Sequence, residues 1–166
     1  MQNLSAGNIN NIETIFNTYG DMLYRISYVI LKSESDAEDV VQETIIKYFE
    51  KKPSLKDYEH TKAWLITVTK NKCKDLLRYK QRHSHIDIDE MREVPNQPSE
   101  NGILEILMTL PEKFCLVLML YYVEEYSIEE IAKIVGKTPS AVKMRLSKGR
   151  KLLREKYREE VLSNGI

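Results

Sequence analysis

YSIEEIAKIVGKTPSAVKMRLSKGRKLLREKYR, running from Tyr126 to Arg158, decides the fold class. Ile128, Ile131, Ala132 and Val135 recur at helical spacing, and Ser127 with Glu130 three residues on forms a capping box at their start. The run stops at Gly136, which suits the left-handed position after a helix end. Thr138 then caps a second helix, and Pro139 fits a first turn where no amide donor is needed. Val142, Leu146, Leu152 and Leu153 make the inward stripe of that helix. Its other faces carry Lys137, Lys143, Arg145, Lys148, Arg150, Lys151, Arg154, Lys156 and Arg158, against Glu155, Glu159 and Glu160. A basic run alone reads as solvated surface. Two capped helices around a glycine turn, with the cations on the second, predict instead a DNA-reading helix-turn-helix whose lysines and arginines meet phosphates.

The 166-residue chain as a whole is 42% hydrophobic and 30% charged, which bounds a globular protein of one or two small domains. Formal net charge is zero, yet the first fifty residues carry Glu13, Asp21, Glu34, Asp36, Glu38, Asp39, Glu43 and Glu50 against Arg25, Lys32 and Lys47 only. An acidic front half has no use in a simple DNA clamp and implies a second, non-nucleic-acid partner. No uninterrupted apolar stretch is long enough for a membrane span, and Met1 to Asn11 lacks the basic-then-apolar layout of a signal peptide, so a cytoplasmic location is expected. Cys73 and Cys115 are isolated and read as buried, inert thiols. His83 and His85 are followed by no second ligand pair, so no metal and no cofactor is expected.

Periodicity elsewhere predicts an all-α protein of two small helical domains joined by a flexible linker. Ile12, Ile15, Phe16, Tyr19, Leu23, Ile26 and Ile30 give the first helix one apolar stripe, with Gly20 tolerated inside it. Ser35 and Glu38 read as the capping box of the second, whose inner face is Ala37, Val40, Val41, Ile45, Tyr48 and Phe49. Pro53 closes that helix, and a polar connection from Ser54 to His60 leads to a third from about Thr61 to Arg82, with Trp64, Leu65, Val68, Leu76 and Leu77 inward. Residues 1–82 thus form the first domain. Residues 83–102, with Pro95, Pro98 and Gly102 and no helical stripe, read as the linker. In 103–166, a short helix holding Ile103, Leu104, Ile106, Leu107 and Leu110 precedes another begun by Pro111. Its Leu116, Val117, Leu118, Leu120 and Tyr121 fill the interior beneath the helix-turn-helix.

The third helix adds Lys62, Lys70, Lys72, Lys74, Arg78, Lys80 and Arg82, interleaved with Tyr58, Trp64 and Tyr79. Cations with aromatic rings suit unstacked bases, whereas duplex readers rely on groove contacts. One domain for opened DNA and one for duplex point to promoter work. Trp64 reads better as core, while Tyr58 sits in a polar connection with no stripe to join.

Asp36-Ala37-Glu38-Asp39-Val40-Val41-Gln42-Glu43-Thr44 resembles the region-two signature of the extracytoplasmic function group of bacterial sigma factors, the smallest sigma subunits of RNA polymerase. The resemblance covers nearly the whole chain. It implies that Asp39, Gln42 and Glu43, which share a helical face by their spacing, bind the clamp helices of the polymerase largest subunit. Ala63-Trp64-Leu65, Lys70-Asn71 and Asp75-Leu76-Leu77-Arg78 are similar to the family's promoter-melting stretch, and the Ser54 to His60 connection corresponds to the loop that captures a flipped base of the minus-ten element. That places Tyr58, Lys62, Asn71, Lys74 and Arg78 at the melted strand. Leu110-Pro111-Glu112 and the helix-turn-helix look like region four. The implied minus-35 contacts are Thr138, Ser140, Lys143, Met144, Arg145, Ser147, Lys148 and Arg150, and the polymerase flap is a further implied partner. Cys115 stands where family members often carry arginine, so any ion pair made there is missing. There is no long C-terminal extension, and the family implies control by a separate anti-sigma protein.

Two other classes remain open on the residues alone. A helix-turn-helix regulator that does not bind core polymerase explains the C-terminal half but not the acidic motif or the third helix. A recombinase needs a nucleophile set or a metal-holding carboxylate cluster, and Asp87, Asp89 and Glu90 fall in the linker, so no enzyme is expected.

Overall fold

A computed structural model describes residues 11–51, 53–83 and 102–163, and every regular element among them is helical. Of the expected linker, His83 is the last residue of the third helix and Gly102 the first of the next, while residues 84–101, with His85, Asp87, Asp89, Glu90, Pro95 and Pro98, lie outside the described residues, as does the side chain of Leu104. The chain divides into two compact units, Met1–Val94 and Pro95–Ile166.

The first unit packs three helices, α1 (Ile12–Leu31), α2 (Glu34–Lys51) and α3 (Tyr58–His83), each against both others. Asn11 caps α1 by accepting from the Glu13 amide at 3.1 Å. Its stripe of Ile15, Tyr19, Met22, Leu23, Ile26, Val29 and Ile30 is buried. Ile12 and Phe16 do not join the core as expected: at 54% and 53% exposure they lie in the first turn and at the edge of the stripe, beyond the cover of α2 and α3. Lys32, in the left-handed conformation with φ 56°, ends α1 and leaves only Ser33 before α2.

That short link corrects the predicted cap. Ser33, not Ser35, accepts from the Asp36 amide at 3.4 Å, and Ser35 is already inside the first turn. Both serines precede an acid by three residues, and the abrupt end of α1 selects the earlier one. The third helix also starts earlier than predicted. The Asp57 carboxylate accepts from the His60 amide at 2.9 Å, so Tyr58 is the first helical residue and not part of a polar connection. Tyr58 has a packing partner after all: its ring stacks on Tyr19 at 5.3 Å, and its carbonyl accepts from the Tyr19 hydroxyl at 3.5 Å. Burial pushes the Tyr19 phenol well above its usual pKa, so that hydroxyl remains a donor.

The second unit holds α4 (Gly102–Met108), α5 (Glu112–Tyr122), α6 (Ile128–Val135) and α7 (Pro139–Ser163). The capping box at Ser127 and Glu130 is complete, and Gly136 takes the left-handed turn with φ 65°. Phe114 to Leu120 are all buried, which makes α5 the central helix, while Tyr121 reaches the surface instead of the interior. Val142 and Leu146 face inward as expected, and Leu152 and Leu153 are only half-buried because α7 runs past its partners.

Gly149 sets the closest approach. A Cβ there would sit 3.0 Å from Leu118 Cδ1, 3.2 Å from Leu118 Cγ and 3.4 Å from Phe114 Cβ. Gly149→Val should therefore overpack the α5–α7 seam and cost about 1–3 kcal/mol, read as a lowered thermal midpoint. An unchanged midpoint would mean the two helices do not meet there.

Candidate functional site

Three exposed helical faces carry the residues singled out by sequence. On α2, the buried stripe of Ala37, Val40, Val41, Thr44 and Ile45 turns Asp39, Gln42 and Glu43 to solvent together. Ile46 joins them at the same three-and-four spacing and is 50% exposed, an apolar member of the face that the acidic-polar pattern does not include. Glu43 is held across the helix pair by the Lys72 ammonium at 2.6 Å, and Asp36 by Lys80 at 2.5 Å. Both bridges join α2 to α3, supported below by a buried hydrogen bond from Thr69 Oγ1 to Thr44 Oγ1 at 3.3 Å. Pairs as exposed as these contribute only about 0–1 kcal/mol each, so they orient side chains more than they hold the fold.

On α3, Asn71, Lys74 and Arg78 share one exposed strip, with Asp75 beside it paired to Arg78 at 3.3 Å. Lys62 lies nine residues before Asn71, half a turn around the helix, and is half-buried, so it is not on that strip. Lys70 is buried, only 8% exposed, and drops out of the expected basic track. Trp64 is half-buried with its ring edge-to-face on Tyr48 at 5.8 Å. The ring that does stand among the α3 cations is Tyr79, 58% exposed and stacked on His83 at 4.1 Å. Their four-residue spacing is visible in the sequence, where Tyr79 reads as an aromatic among cations and His83 as the start of the linker.

On α7, the line opposite the buried Val142, Leu146 and Gly149 is Ser140, Met144, Ser147 and Lys151, all exposed. Lys143 and Lys148 flank it, the latter with its ammonium 5.8 Å from the Phe114 ring centre. Arg145 is half-buried toward the core side. Arg150 donates to the Tyr122 hydroxyl at 3.2 Å, and Thr138 Oγ1 accepts from the Ala141 amide at 3.2 Å, so Thr138 serves first as the helix cap. The faces on α2 and α3 belong to the first unit and that on α7 to the second.

Among the described residues no group of three or more His, Cys, Asp or Glu could hold a metal ion, and no helix is long and apolar enough to cross a membrane. Cys73 and Cys115 are both buried free thiols, with Cys115 Sγ 3.9 Å from the Met108 sulfur.

An exposed acidic-polar helix face in a three-helix unit, plus a helix-turn-helix with a cationic second helix in another, fits the class of two-module DNA-binding proteins. Residues 15–83 match the model of sigma-70 region 2 and residues 101–153 that of sigma-70 region 4. The chain is 31% identical over 145 residues, 84% of its length and 87% of the relative's, to RNA polymerase sigma factor SigV of Bacillus subtilis (strain 168). To ECF RNA polymerase sigma factor SigW of the same organism it is 25% identical over 178 residues, covering 96% of this chain and 95% of that one. The structure of the sigma factor RpoE in complex with the anti-sigma factor NepR from Bartonella quintana matches its fold with a TM-score of 0.77 at 23% identity, covering 90% of this chain and 98% of that one. The chain belongs to the extracytoplasmic function family of sigma-70 factors.

The cap at the head of α3 gives a testable pH dependence. Amide and ring hydrogen bonds from His60, the latter at 2.7 Å, hold the Asp57 carboxyl below the usual carboxylate range. A depressed pKa stabilises above the unfolded-state value and is lost as pH falls through the folded-state value. The Asp57 carboxyl should thus titrate below an ordinary aspartate by NMR, and Asp57→Ala should speed amide exchange at His60 and Thr61 while leaving that of Leu65 unchanged. Unaltered exchange at His60 would refute the cap.

Proposed function

We propose that this protein is an alternative sigma factor that docks on core RNA polymerase through Asp39, Gln42 and Glu43 and directs it to promoters bearing minus-35 and minus-ten elements. The observation that supports this most is the segregation of charge: the α2 face presents acids and an amide, while α3 and α7 present cations. A carboxylate face repels phosphate and suits a cationic protein surface, so docking and DNA binding use different helices.

Asn71, Lys74 and Arg78 form the strip that follows the melted minus-ten strand, with Tyr79 available for stacking. Tyr58 and Lys62 stand at the start of the same helix, next to the connection that receives a flipped base. Extruding a base costs about a few kcal/mol, so a site that holds it turns spontaneous breathing into stable opening. The α7 line of Ser140, Met144 and Ser147 enters the major groove at minus-35, Thr138, Lys143, Lys148 and Arg150 meet its phosphates, and Arg145 supports them from the core side. No bond is made or broken by the protein, which acts as a cytoplasmic, non-enzymatic subunit. The polymerase flap meets its second unit, and an anti-sigma protein holds it in reserve.

Charge reversal at the docking face, Gln42→Lys with Glu43→Lys, should abolish co-purification with core polymerase while circular dichroism reports intact helix. Retained association would rule out this face. Replacing Lys143 and Lys148 by alanine should weaken promoter binding across sequences and lower the log–log salt slope by about 1 for each lysine. An unchanged slope would remove α7 from the DNA.

A further inference from the structure

We infer that Met144 reads the C5-methyl group of a thymine in the upstream duplex element, which gives this protein an apolar component of base specificity. The inference rests on the proposed entry of α7 into the major groove and names what its central side chain recognises there. Met144 is 69% exposed, although Val142 and Leu146 on the same helix are at 0% and 3%. A lone exposed apolar residue needs no explanation in general; its neighbours are what make this one informative. Ser140 and Ser147, one turn to either side on the same line, are short, so the thioether chain projects beyond both. Lys143 and Lys148 flank that line with the charges that would straddle the groove on phosphates.

Met144 is the sixth residue of α7, within the N-terminal part of the helix from which base edges are reached. Among the groups that base pairs show in the major groove, the thymine methyl is the one bulky apolar group, and the nitrogens and oxygens there are hydrogen-bond donors or acceptors. A thioether donates no hydrogen bond and accepts only weakly, so it gains little from adenine, guanine or cytosine edges. Its three rotatable bonds let it settle on a methyl without demanding one backbone register. The serine hydroxyls beside it are permissive, so of the three side chains placed in the groove, Ser140, Met144 and Ser147, Met144 is the one whose preference is fixed by chemistry.

The test uses the full chain bound to core polymerase and a pool of promoter duplexes randomised across the upstream element. The wild type should enrich thymine, on one strand, at one position, and Met144→Ala should lose that preference while Met144→Leu keeps it. In the enriched duplex, deoxyuridine at that thymine removes only the methyl. It should weaken wild-type binding about fourfold, the worth of one buried methyl-sized group, and leave Met144→Ala binding unchanged. If the wild type enriches an element yet tolerates deoxyuridine at every thymine, the methyl reading is overturned and the groove reading survives. Equal weakening of wild type and Met144→Ala would assign the methyl to another side chain. Absence of any enriched upstream element would overturn groove entry itself.

Discussion

The close contact between α5 and α7 at Gly149 is the constraint on which the helix-turn-helix half of the molecule depends. With no side chain at 149, α7 approaches Leu118 and Phe114 to van der Waals distance, and Val142 and Leu146 continue the same seam toward its N-terminus. Burying that seam fixes the rotation of the helix about its axis. The rotation in turn decides that Ser140, Met144, Ser147 and Lys151 face outward and that Arg145 does not. A helix carrying eight basic residues between Lys143 and Arg158 could turn a cation toward solvent in almost any rotation; the apolar seam is what selects the exposed line.

The first unit presents carboxylates on one surface and cations on another within three helices. It does so by setting the acids on α2 and the cations on α3, then tying the two together at Lys72–Glu43 and Lys80–Asp36. A neutral total charge therefore conceals two opposed surfaces.

Much of this was legible in the sequence because capping and glycine chemistry are local. Ser127, Glu130 and Gly136 take the places their types demand, and the helix-turn-helix follows from them. What was misread depends on neighbours distant in sequence. Ser33 and Ser35 are equally good caps until the end of α1 is fixed by Lys32. Tyr58 looks unpartnered until Tyr19, thirty-nine residues earlier, is found beneath it. Ile12 and Phe16 fit the helical period yet lie past the reach of the other two helices, and Lys70 fits a basic track yet is buried. In the candidate site, shared faces such as Asn71, Lys74 and Arg78 follow from spacing alone. Which side of α7 is pressed against Phe114 and Leu118 does not, because Gly149 carries no hydrophobic signal.

The central claim is that this chain confers promoter recognition on core polymerase, and run-off transcription on fragmented genomic DNA tests it most directly. Purified core polymerase with and without the protein would be compared by mapping RNA 5′ ends. The account predicts new starts, present only with the protein and preceded by two shared elements at constant spacing. Tight association with polymerase but no new starts, or starts that share no upstream element, would contradict it.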